Sequence, residues 1–273
     1  MSQDKDPAAL SDQHNARGIE LADRGWLDEA VKEFARAIEL DPGSAHAHDN
    51  LATVYAEQKR YRDALAEHLQ ALRLEPESAT VHYNLASFLA AHGAEMAVAE
   101  FREALVLEPG YPDAQLNLGL TLADQGQVAE AREALAAAAA QDPEDALARH
   151  ELAALLMDEG DHRGAIGLLK DVVRLEPANL EAHLDLGICF AQKGFYAEAE
   201  RAYLRARELA PEDALVNYNL AALQALWGRT AEALEALRRA LAVEPARVRG
   251  WLGTDPMFGS LRGNPEYEAL ARG

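Results

Sequence analysis

The nine histidines are the residues of this 273-residue chain most capable of metal or proton chemistry, because imidazole ligates metals and titrates near neutral pH. Their spacing argues against a shared metal. His14, His48 and His82 follow one another at intervals of 34 residues, and His183 falls at the same point of a later repeat. Rungs that far apart on a helical scaffold cannot share an ion at Zn–N distances of about 2.0–2.1 Å. Such a ladder reads as a large ring at a recurring helix contact. His46 and His48 are two residues apart and diverge around a helix. His150-Glu151 opens like a zinc-protease helix, but Ala154 stands where the second histidine is required. There is no phosphate-binding glycine loop and no Cys-x-x-Cys. Carboxylates are abundant, yet none is tied to a nucleophile or a cofactor motif. The expectation is a non-enzyme with no cofactor and no metal. The single cysteine, Cys189, excludes a disulfide framework and reads as a buried free thiol.

A second polar set is more informative. Asn50, Asn84, Asn117 and Asn219 share one repeat position. Asparagine is a middling helix former, so helix propensity gives no reason for it there. Its amide offers two donors and an acceptor. It can therefore hold the backbone of an extended peptide, or brace a neighbouring helix. The sequence leaves both readings open.

The frame that positions these residues is a period. Pro42, Pro76, Pro109, Pro143, Pro177, Pro211 and Pro245 are separated by 34, 33, 34, 34, 34 and 34 residues. A fixed period of this length marks a solenoid of stacked supersecondary units. Placing each proline thirty-second gives repeats 11–44, 45–78, 79–111, 112–145, 146–179, 180–213 and 214–247. The twentieth residue is alanine in every repeat, from Ala30 to Ala233. The eighth is Gly18, Ala52, Ala86, Gly119, Ala153, Gly187 or Ala221, so two helices can approach closely. Large residues such as Leu51 and Leu85 at the seventh position, and Phe34, Phe101 and Tyr203 at the twenty-fourth, fill the space between. Apolar steps of three and four predict helices. Gly25, Gly93, Gly126, Gly160, Gly194 and Gly228 predict a left-handed turn in mid-repeat, with Lys59 the exception. Each Asp-Pro or Glu-Pro step ends the second helix. Ser44, Ser78, Asp145, Asn179 and Asp213 then cap the next one, while Pro112 serves as a first-turn proline at the third junction. The third repeat is one residue short, between His92 and Met96, and Val172 replaces alanine at the twenty-seventh position of the fifth.

This pattern of a large fourth residue, Leu-Gly/Ala, Ala, Phe/Tyr, Ala and Pro resembles the tetratricopeptide repeat family over residues 11–247. The resemblance implies an all-α, right-handed superhelix of seven helix-turn-helix repeats, followed by C-terminal capping helices. It also implies that first helices line a concave groove, with their second, fifth, sixth, ninth and thirteenth residues pointing inward. On that footing Asn50, Asn84 and Asn117 resemble the asparagine ladder of family members that hold peptides. Asp124 and Asp158, with Asp23 and Glu57, make the groove acidic and suited to a polar or basic segment. Tyr83 and Tyr218 offer stacking surface. The second position carries no lysine or arginine, so the clamp by which chaperone-binding members grip a C-terminal carboxylate is absent. In the seventh repeat Leu215, Tyr218, Ala222 and Leu226 surround Asn219 as an apolar contact patch, unless the C-terminal tail covers it.

Residues 248–273 form no complete repeat; Trp251, Phe258 and Tyr267 read as anchors of a cap, which a solenoid end requires. Residues 1–10 read as a disordered tail. Net charge is −20, with 20 acids against 10 bases in 1–110, 20 against 9 in 111–213, and 6 against 7 in 214–273. That balance disfavours nucleic acid, which demands clustered lysine and arginine. No stretch reaches the ~20 apolar residues of a membrane span, and Met-Ser-Gln-Asp-Lys-Asp has no apolar core of the kind expected in a signal peptide. The expected setting is cytoplasmic, and 21 arginines against 5 lysines suggest a bacterial genome. The functional expectation is a scaffold that binds an extended or helical partner segment in its groove. The alternative is a self-assembling structural protein, whose near-neutral end docks on the acidic body of another copy as a homo-oligomer.

Overall fold

In a computed structural model of the chain, residues 6–92, 94–111 and 113–272 are described. Every regular element among them is helical. They form two compact units, Met1–Gln141 and Asp142–Gly273. The first holds four helix pairs: α1 (Pro7–Asp23) with α2 (Leu27–Leu40), α3 (Ala45–Glu57) with α4 (Tyr61–Leu74), α5 (Ala79–His92) with α6 (Ala94–Leu107), and α7 (Ala114–Asp124) with α8 (Val128–Gln141). The second holds three: α9 (Ala146–Asp158) with α10 (His162–Leu175), α11 (Leu180–Gln192) with α12 (Tyr196–Leu209), and α13 (Ala214–Leu226) with α14 (Thr230–Val243). A C-terminal segment follows: α15 (Pro245–Leu252), a 3-10 turn (Pro256–Leu261) and α16 (Pro265–Arg272).

Within each unit a first helix packs on its own second helix, and that second helix packs on the next first helix. First helices also touch each other, α1 on α3, α3 on α5, α5 on α7, and likewise α9 on α11 and α11 on α13. The small eighth residue makes the intra-repeat contact possible. A Cβ at Gly18 would lie 2.6 Å from the Phe34 ring, and one at Gly119 would lie 2.6 Å from Leu135. Gly187 lies equally close beneath Tyr203. Phe34, Phe101, Leu135 and Leu169 are consequently 0–1 % exposed. Val172 is fully buried in the position where other repeats carry alanine.

The punctuation follows local chemistry. Gly25, Gly126, Gly160, Gly194 and Gly228 have φ of +72° to +80°, and Lys59 takes the same turn at +61°. A side chain in this region crowds the following carbonyl, at about 1–2 kcal/mol. Ser44, Asp145, Asn179 and Asp213 cap α3, α9, α11 and α13 by accepting from the backbone N–H three residues on. At the third junction Asp113, with φ of +60°, precedes α7. Pro112, and the Gly93 turn of the short repeat, lie outside the described residues. Residues 7–10, expected within a disordered tail, are the first turn of α1: Asp6 caps it and Pro7 opens it, a cap-then-proline start that suits a helix N-terminus. Residues 1–5 lie outside the described residues. Cys189 is buried as expected, and burial pushes its thiol up to about 11.

Candidate functional site

The sixth-position asparagines lie on the face formed by the first helices, each half-buried. Asn50, Asn84 and Asn117 each donate across to the fifth residue of the preceding repeat. Asn50 Nδ2 reaches Asn15 Oδ1 at 3.0 Å, Asn84 Nδ2 reaches Asp49 Oδ2, and Asn117 Nδ2 reaches Tyr83 Oη at 2.8 Å. These bonds make Asn50, Asn84 and Asn117 braces between neighbouring first helices. One N–H of each amide is so used, and the amide carries a second N–H. Asp49 is a junction: it is 4 % exposed and also accepts from His68 Nδ1 at 2.7 Å. The second unit repeats the geometry with roles exchanged, His150 Nε2 at 2.9 Å from Asp185 Oδ2. That hydrogen bond holds the His150 imidazole above its ordinary pKa, against the opposing effect of burial.

Three of the expected groove residues converge in the first unit. Tyr83, Asn117 and Asp124 line one open cleft of about 370 Å³ between α5 and α7, with Phe101 in its wall. Tyr83 is seated there by an edge-on contact to Phe101, centroids 5.8 Å apart, and by Tyr111 at 4.8 Å. Burial, before any other cause, raises its phenol above the ordinary tyrosine range. Asp124 is exposed at the C-terminal end of α7, and Asp158 is exposed at the corresponding end of α9 in the second unit.

Tyr218 is a correction. It is 6 % exposed and offers no stacking surface to a partner. Its ring meets Trp251 edge-on at 4.9 Å and Phe258 at 5.3 Å, and its hydroxyl donates to Asp255 Oδ2 at 2.7 Å. Burial raises this phenol strongly. The C-terminal segment therefore covers the fifth position of the seventh repeat, with Phe258 and Tyr267 stacked at 6.0 Å and Ser260 Oγ donating to the Ala225 carbonyl at 2.9 Å. Leu215 and Leu226 stay about two-fifths exposed, at 40 % and 41 %. Asn219 and Leu226 line a small cavity of about 160 Å³ whose wall includes Asp255 and Met257.

The fourth-position histidines have partners that sequence reasoning missed. His14, His48 and His82 place Nδ1 at 2.6, 2.5 and 2.6 Å from Oε2 of Glu33, Glu67 and Glu100 on the second helix of the same repeat. The signal was present, since glutamate recurs at the twenty-third position in three of the four repeats whose fourth residue is histidine, the sixth repeat carrying Ala202 there. Among the described residues no three His, Cys, Asp or Glu side chains gather closely enough to hold a metal. Nor is any described helix long and apolar enough to cross a membrane.

Consecutive helix pairs bridged by polar contacts between first helices define a helical-repeat solenoid. Tetratricopeptide repeat models match residues 88–155 and 156–226, 15–72 and 214–247, and a TPR repeat model matches 52–93. The chain belongs to the tetratricopeptide repeat family, whose members are generally protein-interaction scaffolds with a typically non-catalytic fold. A curated relative is Superkiller protein 3 of Schizosaccharomyces pombe, 25 % identical over 210 residues; the match covers 71 % of this chain and 15 % of that protein. Among solved structures, the chain resembles YrrB, described as a TPR protein with an unusual peptide-binding site. The two are 24 % identical with a TM-score of 0.60, over 65 % of this chain and 92 % of that one. It also resembles PilW, a type IV pilus biogenesis factor, at 24 % identity and TM-score 0.63 over 74 % and 94 % of the two chains. A TPR repeat-containing protein from Cytophaga hutchinsonii matches 88 % of this chain and 99 % of its own solved part at TM-score 0.73 and 16 % identity.

Proposed function

We propose that this chain is a scaffold that receives an extended or helical partner segment, polar or basic in character, on the face of its first helices. The observation that carries the reading is the convergence of Tyr83, Asn117 and Asp124 in one open cleft of about 370 Å³. An aromatic wall, an amide with an N–H to spare and an exposed carboxylate suit a peptide backbone flanked by a lysine or arginine. In this reading Asn50 and Asn84 hold the register of the face, and Asp124 selects the charge. Asp158 repeats that selection in the second unit, where Leu215, Leu226 and Asn219 add a partly apolar contact. The acidic balance of the chain would speed the approach of a basic segment.

The test uses the full chain and a fluorescent ten-residue peptide of alternating lysine and serine, acetylated and amidated. Asp124→Lys changes an exposed residue at a helix end and should leave thermal stability nearly unchanged. Binding about tenfold weaker in that variant, with weakening by salt, supports the reading. Equal binding by wild type and variant would remove the cleft from the binding face.

A further inference from the structure

The sixth repeat departs from a pattern that the first three share. His183 stands at the fourth position, like His14, His48 and His82, and its Nε2–H donates to the Pro177 carbonyl at 3.1 Å. His82 makes the same bond to Pro76 at 3.1 Å while its Nδ1 meets Glu100. The residue of the sixth repeat that corresponds to Glu100 is Ala202. No carboxylate of this repeat stands at that point, and His183 and Ala202 line a cleft of about 540 Å³ between α10 and α12, over α11. This cleft lies among the second helices, away from the first-helix face discussed above.

Its walls are of two kinds. Leu186, Phe190 and Phe195 are apolar, and Phe195 is 51 % exposed. Around them stand three cations, Lys170, Arg201 and Arg205, against one carboxylate, Glu198. Lys170 Nζ lies 5.5 Å from the Phe190 ring centroid and has no ion-pair partner among the described residues. Among the described residues Arg201 and Arg205 are held within α12 alone, by Glu198 at 3.3 Å and Glu208 at 2.7 Å. Exposed pairs of this kind are weak and exchange readily. A cationic cleft on a chain of net charge −20 selects for anions.

We infer that this cleft docks an acidic peptide segment of a partner protein. One carboxylate of that segment accepts from the Nδ1–H of His183, protonated at both ring nitrogens in the complex, in the place that Glu100 takes on His82, within reach of Lys170, Arg201 and Arg205. A neighbouring aromatic or aliphatic side chain lies against Phe190 and Phe195. The equivalent cleft of the fourth repeat marks the difference: there Arg102 is paired with Glu130, and Glu133 and Ala137 replace Arg201 and Arg205.

The probe is an acetylated, amidated six-residue peptide of glutamates with one central phenylalanine, titrated into the full chain by calorimetry and by imidazole NMR. Ala202→Glu supplies the missing carboxylate from within the repeat. It should weaken binding about tenfold or more while leaving melting temperature equal or higher. Arg205→Glu, an exposed change, serves where Ala202→Glu fails to fold, and should weaken binding similarly. A peptide with serine for phenylalanine should bind more weakly, and the His183 ring signals should move only with the tight binder. Absence of wild-type binding at millimolar peptide, or equal binding by the variants, overturns the inference. The basic-peptide experiment on Asp124 reads a different face, so either proposal can fail alone.

Discussion

The third and sixth repeats begin from the same residue and end as different objects. His82 and His183 each donate from Nε2 to the carbonyl of the proline that closes the preceding repeat. In the third repeat Glu100 closes the other side of the ring; in the sixth Ala202 leaves it open beside three cations. One position of the 34-residue pattern therefore decides whether a repeat completes its polar contact internally or presents it outward. A solenoid tolerates this because each repeat draws stability from its neighbours, so one may give up a contact without unfolding the array.

The largest expected effect comes from the internally completed kind of contact. Asp49 serves His68 and Asn84 together and is almost wholly buried. Asp49→Ala should cost about 3 kcal/mol, because removing one partner strands buried polar groups; urea denaturation reads this, and a loss under about 1 kcal/mol would show that the junction is not stabilising.

A smaller cost is expected when the third repeat is made to resemble the sixth. Glu100→Ala should lose about 1–2 kcal/mol, the range for removing a partner from a polar pair. It should not acquire affinity for the acidic peptide, because Ala99 and Glu103 stand where the sixth repeat has Arg201 and Arg205. Acidic-peptide binding by this variant would mean that an open histidine suffices and that the cations are incidental.

The second unit also holds an internally completed pair, and this one makes stability depend on pH. The Asp185 hydrogen bond raises the folded pKa of His150 above its unfolded value near 6.5. Its contribution is then fully present below about pH 6.5 and is lost as pH rises through the folded value. Melting temperature should accordingly be higher at pH 6 than at pH 8 by a margin that shrinks in Asp185→Asn. An unchanged margin would assign the dependence to other groups.

The smallest effect concerns the turns. Lys59 adopts the left-handed conformation that glycine supplies in the other described turns of this column. Lys59→Gly should gain about 0.5–1 kcal/mol, the relief of side-chain strain exceeding the added chain entropy; a loss would mean that the lysine stem contributes packing.

Much of the fold was legible because its causes are local. A proline ends a helix wherever it falls, a glycine permits a positive φ, and Ser44 or Asp213 caps the helix that follows it. The seven prolines and the alanine columns needed only counting. The candidate site was legible in part: Tyr83, Asn117 and Asp124 were named from their repeat positions, and they share a cleft. What each asparagine bonds was not legible, because its partner lies 34 or 35 residues away on another helix. Tyr218 shows the same limit more sharply. Its position suggested a contact surface, and only the return of the C-terminal segment onto α13 buries it.

By itself the sequence determined the period, the helix boundaries and the small residues at which helices meet. Those follow from backbone sterics and side-chain volume within a single repeat. Tertiary structure decided which polar groups are completed inside the protein and which remain open. A hydrogen bond needs its partner within about 3 Å, and that distance is set by how one helix is laid against another.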